Sequence, residues 1–461
     1  MVGKILLPEI QGMIEARNFA ALRELFFEMP PADVAEIILD LPEDEQVIIF
    51  RILPHALAAD VFEYLDVDVD AQQKLLRGMA HEQVVSILNE MSPDDRTALL
   101  EELPSAAARQ LIRLLTPEER RVAQALLGYP EDSVGRLMTP DLISIDASWT
   151  VGEVLAYIRQ HGQDSETLNV IYVVDDRGKL VDDIRIREFL LRPLDLKVSD
   201  LMDENFIALN ATDSQEEAVN VFRKYDRSAL PVVDSTGVLV GLVTIDDMLD
   251  VAEEEATEDI QKFGGMEAME EPYMRIPLWR MVRKRAVWLV VLFLGEMLTA
   301  SAMGHYEGAI AKAVVLAVFL PMIISSGGNS GSQASMLIIR AMALGEVTLA
   351  DWWRVMRKEI LAGLMLGCVL GSIGFLRVAV WAQFSDTYGP HYILIAFTVG
   401  FALLGVVMWG SLSGSMLPFL LRRLGADPAT SSAPFVATLV DVTGLIIYFS
   451  LALIILRGAM L

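Results

Sequence analysis

Residues 387–421 run for 35 positions without one formally charged side chain. A helix needs about 20 such apolar residues to cross the hydrocarbon of a bilayer. Four more stretches share this character. Residues 313–339 carry no charge, and residues 286–303 carry only Glu296. Residues 360–376 and 378–385 are separated only by Arg377, and residues 428–456 carry only Asp441. The pattern predicts five spans. Arg280, Arg283, Lys284 and Arg285 precede the first, Arg340, Arg354, Arg357 and Lys358 lie between the second and third, and Arg422 and Arg423 lie between the fourth and fifth. The alternate loops, EGAIAK and SDTYGPH, hold one lysine between them. The positive-inside rule therefore places the N-terminus inside and the C-terminus outside, as an odd number of spans requires.

The chain before these spans is of a different kind. Residues 1–278 hold 24 Lys and Arg against 55 Asp and Glu, and residues 279–461 hold 13 against 8. The front carries −31 and the back +5. A field of that size is either a well-solvated acidic surface or one that counter-cations relieve. It excludes nucleic acid as a natural partner. The single cysteine, Cys368, allows no disulfide within the chain. His55, His81, His161, His305 and His391 are scattered, which argues against a histidine-built transition-metal site. The N-terminal stretch lacks the long apolar core of a secretion signal, so the front half is expected in the cytoplasm.

Within the front half, residues 1–133 read as an acidic domain of short helices. Apolar residues recur at helical spacing in ADVAEIILDLP, AADVFEYLD, EQVVSILNEMSPDD and AARQLIRLLTPEER. The pattern returns at roughly one helical hairpin, which suggests a stacked superhelix or else an ordinary helical domain. A clearer duplication follows. LMTPDLISIDASWTVGEVLAYI at 137–158 aligns with LMDENFIALNATDSQEEAVNVF at 201–222, and IYVVDDRGKLVDDIRIREFL at 171–190 with LPVVDSTGVLVGLVTIDDML at 230–249. Each copy predicts strand, helix, strand, a turn at Gly178 or Gly237, strand and helix. This order resembles a tandem pair of CBS domains, assigned to 134–200 and 201–252. Residues 253–278 then form a carboxylate-rich connecting helix, helical in character as far as Gly264–Gly265. The transmembrane domain occupies 279–461. The fold class is thus multidomain: an all-α superhelix, an α/β tandem pair, a connecting helix and an α-helical bundle of five spans.

Two features of the spans carry chemistry. Asp441 lies inside TSSAPFVATLVDVTGLIIYF, where an ionised carboxylate costs about 2.5–3.5 kcal/mol even on the mildest scale. It is read as a cation ligand on a watery path, with a structural ion pair or a protonated packing residue as the alternative. Arg377 and Lys312 are its candidate basic partners. Ala437 and Thr438 lie one turn earlier, and Pro434 lacks the backbone donor that would occupy a carbonyl. The second feature, PMIISSGGNSGSQ at 321–333, puts Pro, paired glycines and small polar residues, including Asn329, inside an apolar run. Either the helix is kinked or unwound there beside a cavity, or small residues pack two helices closely.

PMIISSGGNSGSQASMLIIRA, MLPFLLRRLGADPA and APFVATLVDVTGLIIY closely resemble the MgtE family of magnesium channels and transporters. The acidic helical domain, the CBS pair and the linker EEEATEDI complete that family's order over essentially the whole chain. The resemblance implies a homodimer in the inner membrane, with the front domains cytoplasmic and a pore on the two-fold axis. It implies Asp441 and Ala437 at the pore ion, with Asn329, Pro434 and Thr438 lining the path. It further implies a regulatory magnesium sensor built from Asp60, Asp94, Asp226, Asp247, Asp250, Glu255, Glu258, Asp259 and Asp427. The linker would close the pore from below. ATP is implied as a ligand of the CBS pair. Arg185 to Glu188 stand where the first copy's nucleotide-contacting Ser/Thr-x-x-Asp would be, whereas the second copy keeps Thr244 and Asp247. Ala433 replaces a polar amide found beside the pore in a relative, and Ala98 replaces an acid found in some. The resemblance implies a channel or transporter of magnesium rather than an enzyme. Transport of cobalt, manganese or calcium, and a membrane-tethered nucleotide sensor, are the alternatives. An intramembrane aspartyl protease would need two buried Asp residues, and no Gly-Met-Asn filter is present.

Overall fold

The computed structural model of the chain describes residues 2–65, 69–269, 273 and 276–459. The connecting segment expected at 253–278 falls partly outside these, at 270–272, 274 and 275. The chain divides into two compact units, Met1–Glu253 and Glu254–Leu461.

The first unit opens with short helices that follow a simple rule. Helices begin at Pro31, Glu43 and His55, and again at Val69, His81, Pro93, Ser105 and Pro117, each twelve residues after the last within its run. Proline occupies the first helical position or the residue before it in most of them. There its fixed φ favours the helix and its missing N–H costs nothing. Helices two apart in sequence touch: Val2–Glu15 with Pro31–Asp40, Pro31–Asp40 with His55–Glu63, and His55–Glu63 with His81–Glu90. That is the stacking expected of helical hairpins. One apolar core runs from Ile10 through Phe26, Ile37, Phe62 and Leu88 to Ala123. Arg96 pins the stack from inside. It is fully buried and donates to the carbonyls of Leu88 at 3.1 Å and Met91 at 3.4 Å, and to Glu119.

The duplicated region forms two three-stranded sheets. In the first, Ser144–Asp146 runs parallel to Val170–Val174, which pairs antiparallel with Leu180–Arg185. In the second, Leu209–Asn210, Ala229–Val233 and Leu239–Thr244 repeat the arrangement. Gly178 and Gly237 close the two hairpins at φ +76° and +84°, which only glycine adopts cheaply. The hairpin tips bond to each other, Leu180 N to Gly237 O at 3.1 Å and Leu239 N to Gly178 O at 3.0 Å.

In the second unit, five helices are long and apolar enough to cross a membrane: Leu278–His305, Val314–Ala343, Leu349–Trp381, Thr387–Arg423 and Ala433–Ile455. They are called spans one to five. Pro321 lies in the first turn of the helix Leu320–Ala343, which continues unbroken through the glycines. The kinked or unwound backbone expected there is therefore corrected to close packing. The irregular part is the 3-10 turn Val314–Phe319 just before it. The glycines let backbones touch: a Cβ on Gly414 would lie 2.0 Å from Gly331 O, and one on Gly410 2.2 Å from Gly327 O. Ser330 and Ser411 hydroxyls bond at 2.6 Å in the same contact between spans two and four. Span one has no buried residue and spreads Phe293, Leu294 and Leu298 outward, a surface that needs lipid or protein over it.

Candidate functional site

The face of span five that carries Asp441 is built from its N-terminus. Ser432 caps the helix, its hydroxyl accepting from Phe435 N at 3.3 Å, and Pro434 falls in the first turn, where no donor is needed. Pro434, Ala437, Thr438 and Asp441 follow at helical spacing and are all half-buried. Asp441 is about 12 Å along the axis from Ala433, well inside the helix. The carbonyls expected to stand free near Pro434 are taken instead. Pro434 O accepts the Thr438 hydroxyl at 3.0 Å, and Ala433 O accepts the Ser332 hydroxyl at 3.2 Å.

Neighbouring spans frame this face. Gly328 packs on Ala437, leaving Asn329 exposed beside the contact, its amide 3.5 Å from Ser325 Oγ. Gly295 of span one sits so close to Thr438 that a Cβ would lie 2.7 Å from Thr438 Cγ2. The next residue, Glu296, lies beside Asp441. The partner of Asp441 within the chain is therefore another carboxyl group. Arg377, one of the expected basic partners, instead lies over the Trp381 ring at 4.2 Å. The side chain of Lys312, the other, lies outside the described residues. Glu296 is legible in the sequence as the lone charge of residues 286–303, but nothing there pairs it with a residue 145 positions away.

In the first unit, acidic helix starts meet. Asp94 and Asp95 open the helix Pro93–Glu102, and Asp246 and Asp247 open Ile245–Phe263. A helix N-terminus favours negative charge, so each pair is locally sound. Brought together, they repel. Asp94 is buried, its Oδ1 has no hydrogen-bond partner among the described residues, and Asp247 and Asp95 lie beside it. Burial first, then these negative neighbours, raise its pKa. Burial pushes Asp247 up to about 7, against hydrogen bonds from Thr244 N at 3.2 Å and Thr244 Oγ1 at 2.6 Å. Glu63 is likewise pushed to about 7 by burial, although it accepts from Ser92 N at 2.8 Å. Burial and neighbouring acids also raise Glu166, Asp250 and Asp60 at the margins. Glu63, Asp95, Asp246 and Glu166 are members that sequence reasoning missed. Asp226 lies elsewhere, exposed, ending helix Gln215–Tyr225 in the left-handed region at φ 49°.

In the second unit, Glu255, Glu258 and Asp259 lie on the last turns of Ile245–Phe263, and Glu255 and Asp259 both interact with neighbouring groups. Asp427 caps the turn before span five, its Oδ1 accepting from Ala429 N at 2.8 Å. Lys262 lies between Glu258 and Asp427. Gly265 follows at φ +72°, where a Cβ would meet Trp288 Nε1 at 2.6 Å and Pro434 Cγ at 3.2 Å. Trp288 Nε1 donates to Ser432 Oγ at 3.2 Å. The end of the linker thus packs against the start of the helix that carries Asp441.

Among the described residues, no three His, Cys, Asp or Glu side chains are placed to hold one metal ion directly. Carboxylates meeting in pairs suit an ion that keeps its water, as magnesium does. The buried, unpartnered Asp94 Oδ1 beside a second carboxyl fits a cation there. Of the two residues expected at nucleotide, Thr244 spends its hydroxyl on Asp247, and Glu188 pairs with Arg192 at 3.3 Å. The two CBS copies also share a half-buried ion pair, Asp183 with Arg227 at 3.1 Å, beside the buried Tyr172 hydroxyl.

Known proteins share this organisation. Residues 29–132 match the MgtE intracellular N domain, 134–194 and 198–254 the CBS domain, and 320–451 the MgtE divalent cation transporter. The chain is 37% identical over 454 residues to the magnesium transporter MgtE of Thermus thermophilus, covering 97% of this chain and 98% of the relative. It is 31% identical over 435 residues to the magnesium transporter MgtE of Enterococcus faecalis, covering 94% of each. The crystal structure of the cytosolic domain of the Mg2+ channel MgtE in complex with ATP superposes with a TM-score of 0.51 at 33% identity, covering 53% of this chain and 100% of that one.

Proposed function

The chain belongs to the MgtE family of magnesium transporters, and we propose that it works as a homodimeric, magnesium-closed path for divalent cation uptake in the cell's inner membrane. The observation that carries this reading is the placement of Asp441: a carboxylate inside an apolar span, on a half-buried face of small and polar residues, with Glu296 beside it. A carboxylate at that depth is costly, and a cation or a watery path beside it offsets the cost. In a two-fold dimer, two copies of Asp441 would hold a hydrated magnesium ion through its waters. That spares the ion full dehydration and lets it leave. Ala437 and Thr438 leave room for the hydration shell, and Asn329 and Pro434 line the approach. The outward apolar surface of span one is suited to lipid and to the second subunit.

The gate is an electrostatic argument. Asp94 and Asp247 join the helical domain to the helix that follows the CBS pair, and burial makes their ionisation unfavourable. A divalent cation recovers that cost by clamping the two helix starts together. Magnesium then favours the state it binds better, which is the closed one. The same helix that begins beside Asp247 carries Glu258 and Lys262 in its last turns. Glu255, Asp259 and Asp427 are the further sensor acids of the second unit, and Asp60, Asp226 and Asp250 those of the first. ATP is the expected ligand of the CBS pair, near Thr244 and Glu188.

Magnesium flux into vesicles carrying wild type or Asp441→Asn tests the path. Near-complete loss of flux in a variant that still purifies as the wild-type oligomer is expected. Unaltered flux would remove Asp441 from the path. Competition by cobalt, manganese or calcium in the same vesicles reads the preferred ion.

A further inference from the structure

Lys262 bridges two of the acids proposed above to sense magnesium in the second unit. Lys262 Nζ lies 2.6 Å from Glu258 Oε1, one turn back on its own helix, and 2.7 Å from Asp427 Oδ2, in the turn before span five. Asp427 is held for this contact. Its other oxygen caps Ala429 N at 2.8 Å, and its backbone carbonyl accepts the Thr430 hydroxyl at 2.6 Å. Oδ2 is the oxygen directed to Lys262. All three side chains are about two-thirds or more buried, with exposures of 26% for Lys262, 34% for Glu258 and 37% for Asp427. Burial disfavours the ammonium, but hydrogen bonds from it to Asp427 and Glu258 outweigh that and hold the proton more firmly than usual.

An ammonium and a magnesium ion compete for such a pair on similar terms. Both are compact, strongly hydrated point charges that suit carboxylate oxygens. They cannot share it, because one point within 2.7 Å of both oxygens has room for one cation, and two would repel. The lysine stem has four rotatable carbons, so the ammonium can swing into water when displaced.

We propose that Lys262 is an internal competitor of the regulatory divalent cation: it fills the Glu258–Asp427 pair when metal is scarce and must be expelled before metal binds there. It therefore sets the magnesium concentration at which the path closes. This rests on the reading that magnesium at these acids closes the path.

The test is magnesium inhibition of flux from the cytoplasmic face, measured on full-length protein in vesicles. Lys262→Met keeps most of the stem and removes the charge, and Lys262→Gln is a second variant of different packing. Lys262→Arg keeps a charge that cannot be lost. Met and Gln should close the path at about three- to tenfold lower magnesium, the range expected for releasing a partly buried ion pair. Arg should close it at the wild-type concentration or above. Closure of Met and Gln at the wild-type concentration or higher would overturn the proposal, since Lys262 would then be a latch or a bystander. Wild type indifferent to magnesium on that face would instead overturn the gating reading itself, and this proposal with it.

Discussion

The carboxyl group of Asp247 gives the sensor a signature that does not depend on transport. Its pKa rises from an ordinary 3.8 to about 7, chiefly through burial. The folded unit therefore binds more protons than the unfolded chain between about pH 4 and pH 7. Stability must then fall as pH rises through that window, the reverse of the usual carboxylate case. The two pKa values give a loss of about 2.5 kcal/mol between pH 5 and pH 7.5 from this one group. Glu63 at about 7 and Asp183 at about 6 act in the same direction. Urea unfolding of residues 1–253, followed by circular dichroism without divalent metal, measures the sum. Asp247→Asn isolates the single contribution, because the amide oxygen still accepts from Thr244 while the ionisation is gone. The variant should be more stable than wild type at pH 7.5 by about 2–4 kcal/mol and nearer to it at pH 5. Magnesium should stabilise wild type at pH 7.5 more than the variant. A wild-type stability that is flat or rising between pH 5 and 7.5, with no gain in the variant, would refute the buried placement of Asp247.

Two further outcomes follow from glycines packed too closely for a Cβ. Gly414→Ala would force a methyl to within 2.0 Å of Gly331 O and should cost more than 3 kcal/mol or prevent assembly of spans two and four, whereas Gly405→Ala, whose nearest neighbour is a side-chain methyl at 3.3 Å, should be tolerated; thermal melts of detergent-purified protein separate the two. Gly265→Ala combines a φ of +72° with a clash at Trp288 Nε1, so it should cost about 1–3 kcal/mol and loosen the end of the linker, read as faster amide exchange at 261–269.

Much of this architecture is legible in the sequence because it rests on local signals. The five spans follow from charge-free runs. The CBS pair follows from VVD strands and Gly turns appearing twice, and the helical stack from apolar residues that recur at helical spacing. Asp441 announces itself by its surroundings. What stayed hidden depends on residues far apart in the chain. Asp94 meets Asp247, Glu296 meets Asp441, and Lys262 meets Asp427 across 165 positions. Each residue taken alone is an ordinary acid or base on a helix. The glycines of PMIISSGGNSGSQ fit two local conformations equally well, and only the opposing glycines of span four decide for an intact helix. Pro434 suggested free carbonyls nearby, but their occupants, the Thr438 and Ser332 hydroxyls, depend on rotamer and on a neighbouring span.

The most direct test of the central claim is magnesium flux through the wild-type protein in sealed vesicles, with magnesium on the cytoplasmic face varied and the outer concentration fixed, run beside Asp247→Asn. Wild-type flux should fall as cytoplasmic magnesium rises, and the flux of the variant, relieved of the buried charge, should respond less to magnesium. Flux that ignores cytoplasmic magnesium, or a variant that responds as wild type does, would contradict the claim.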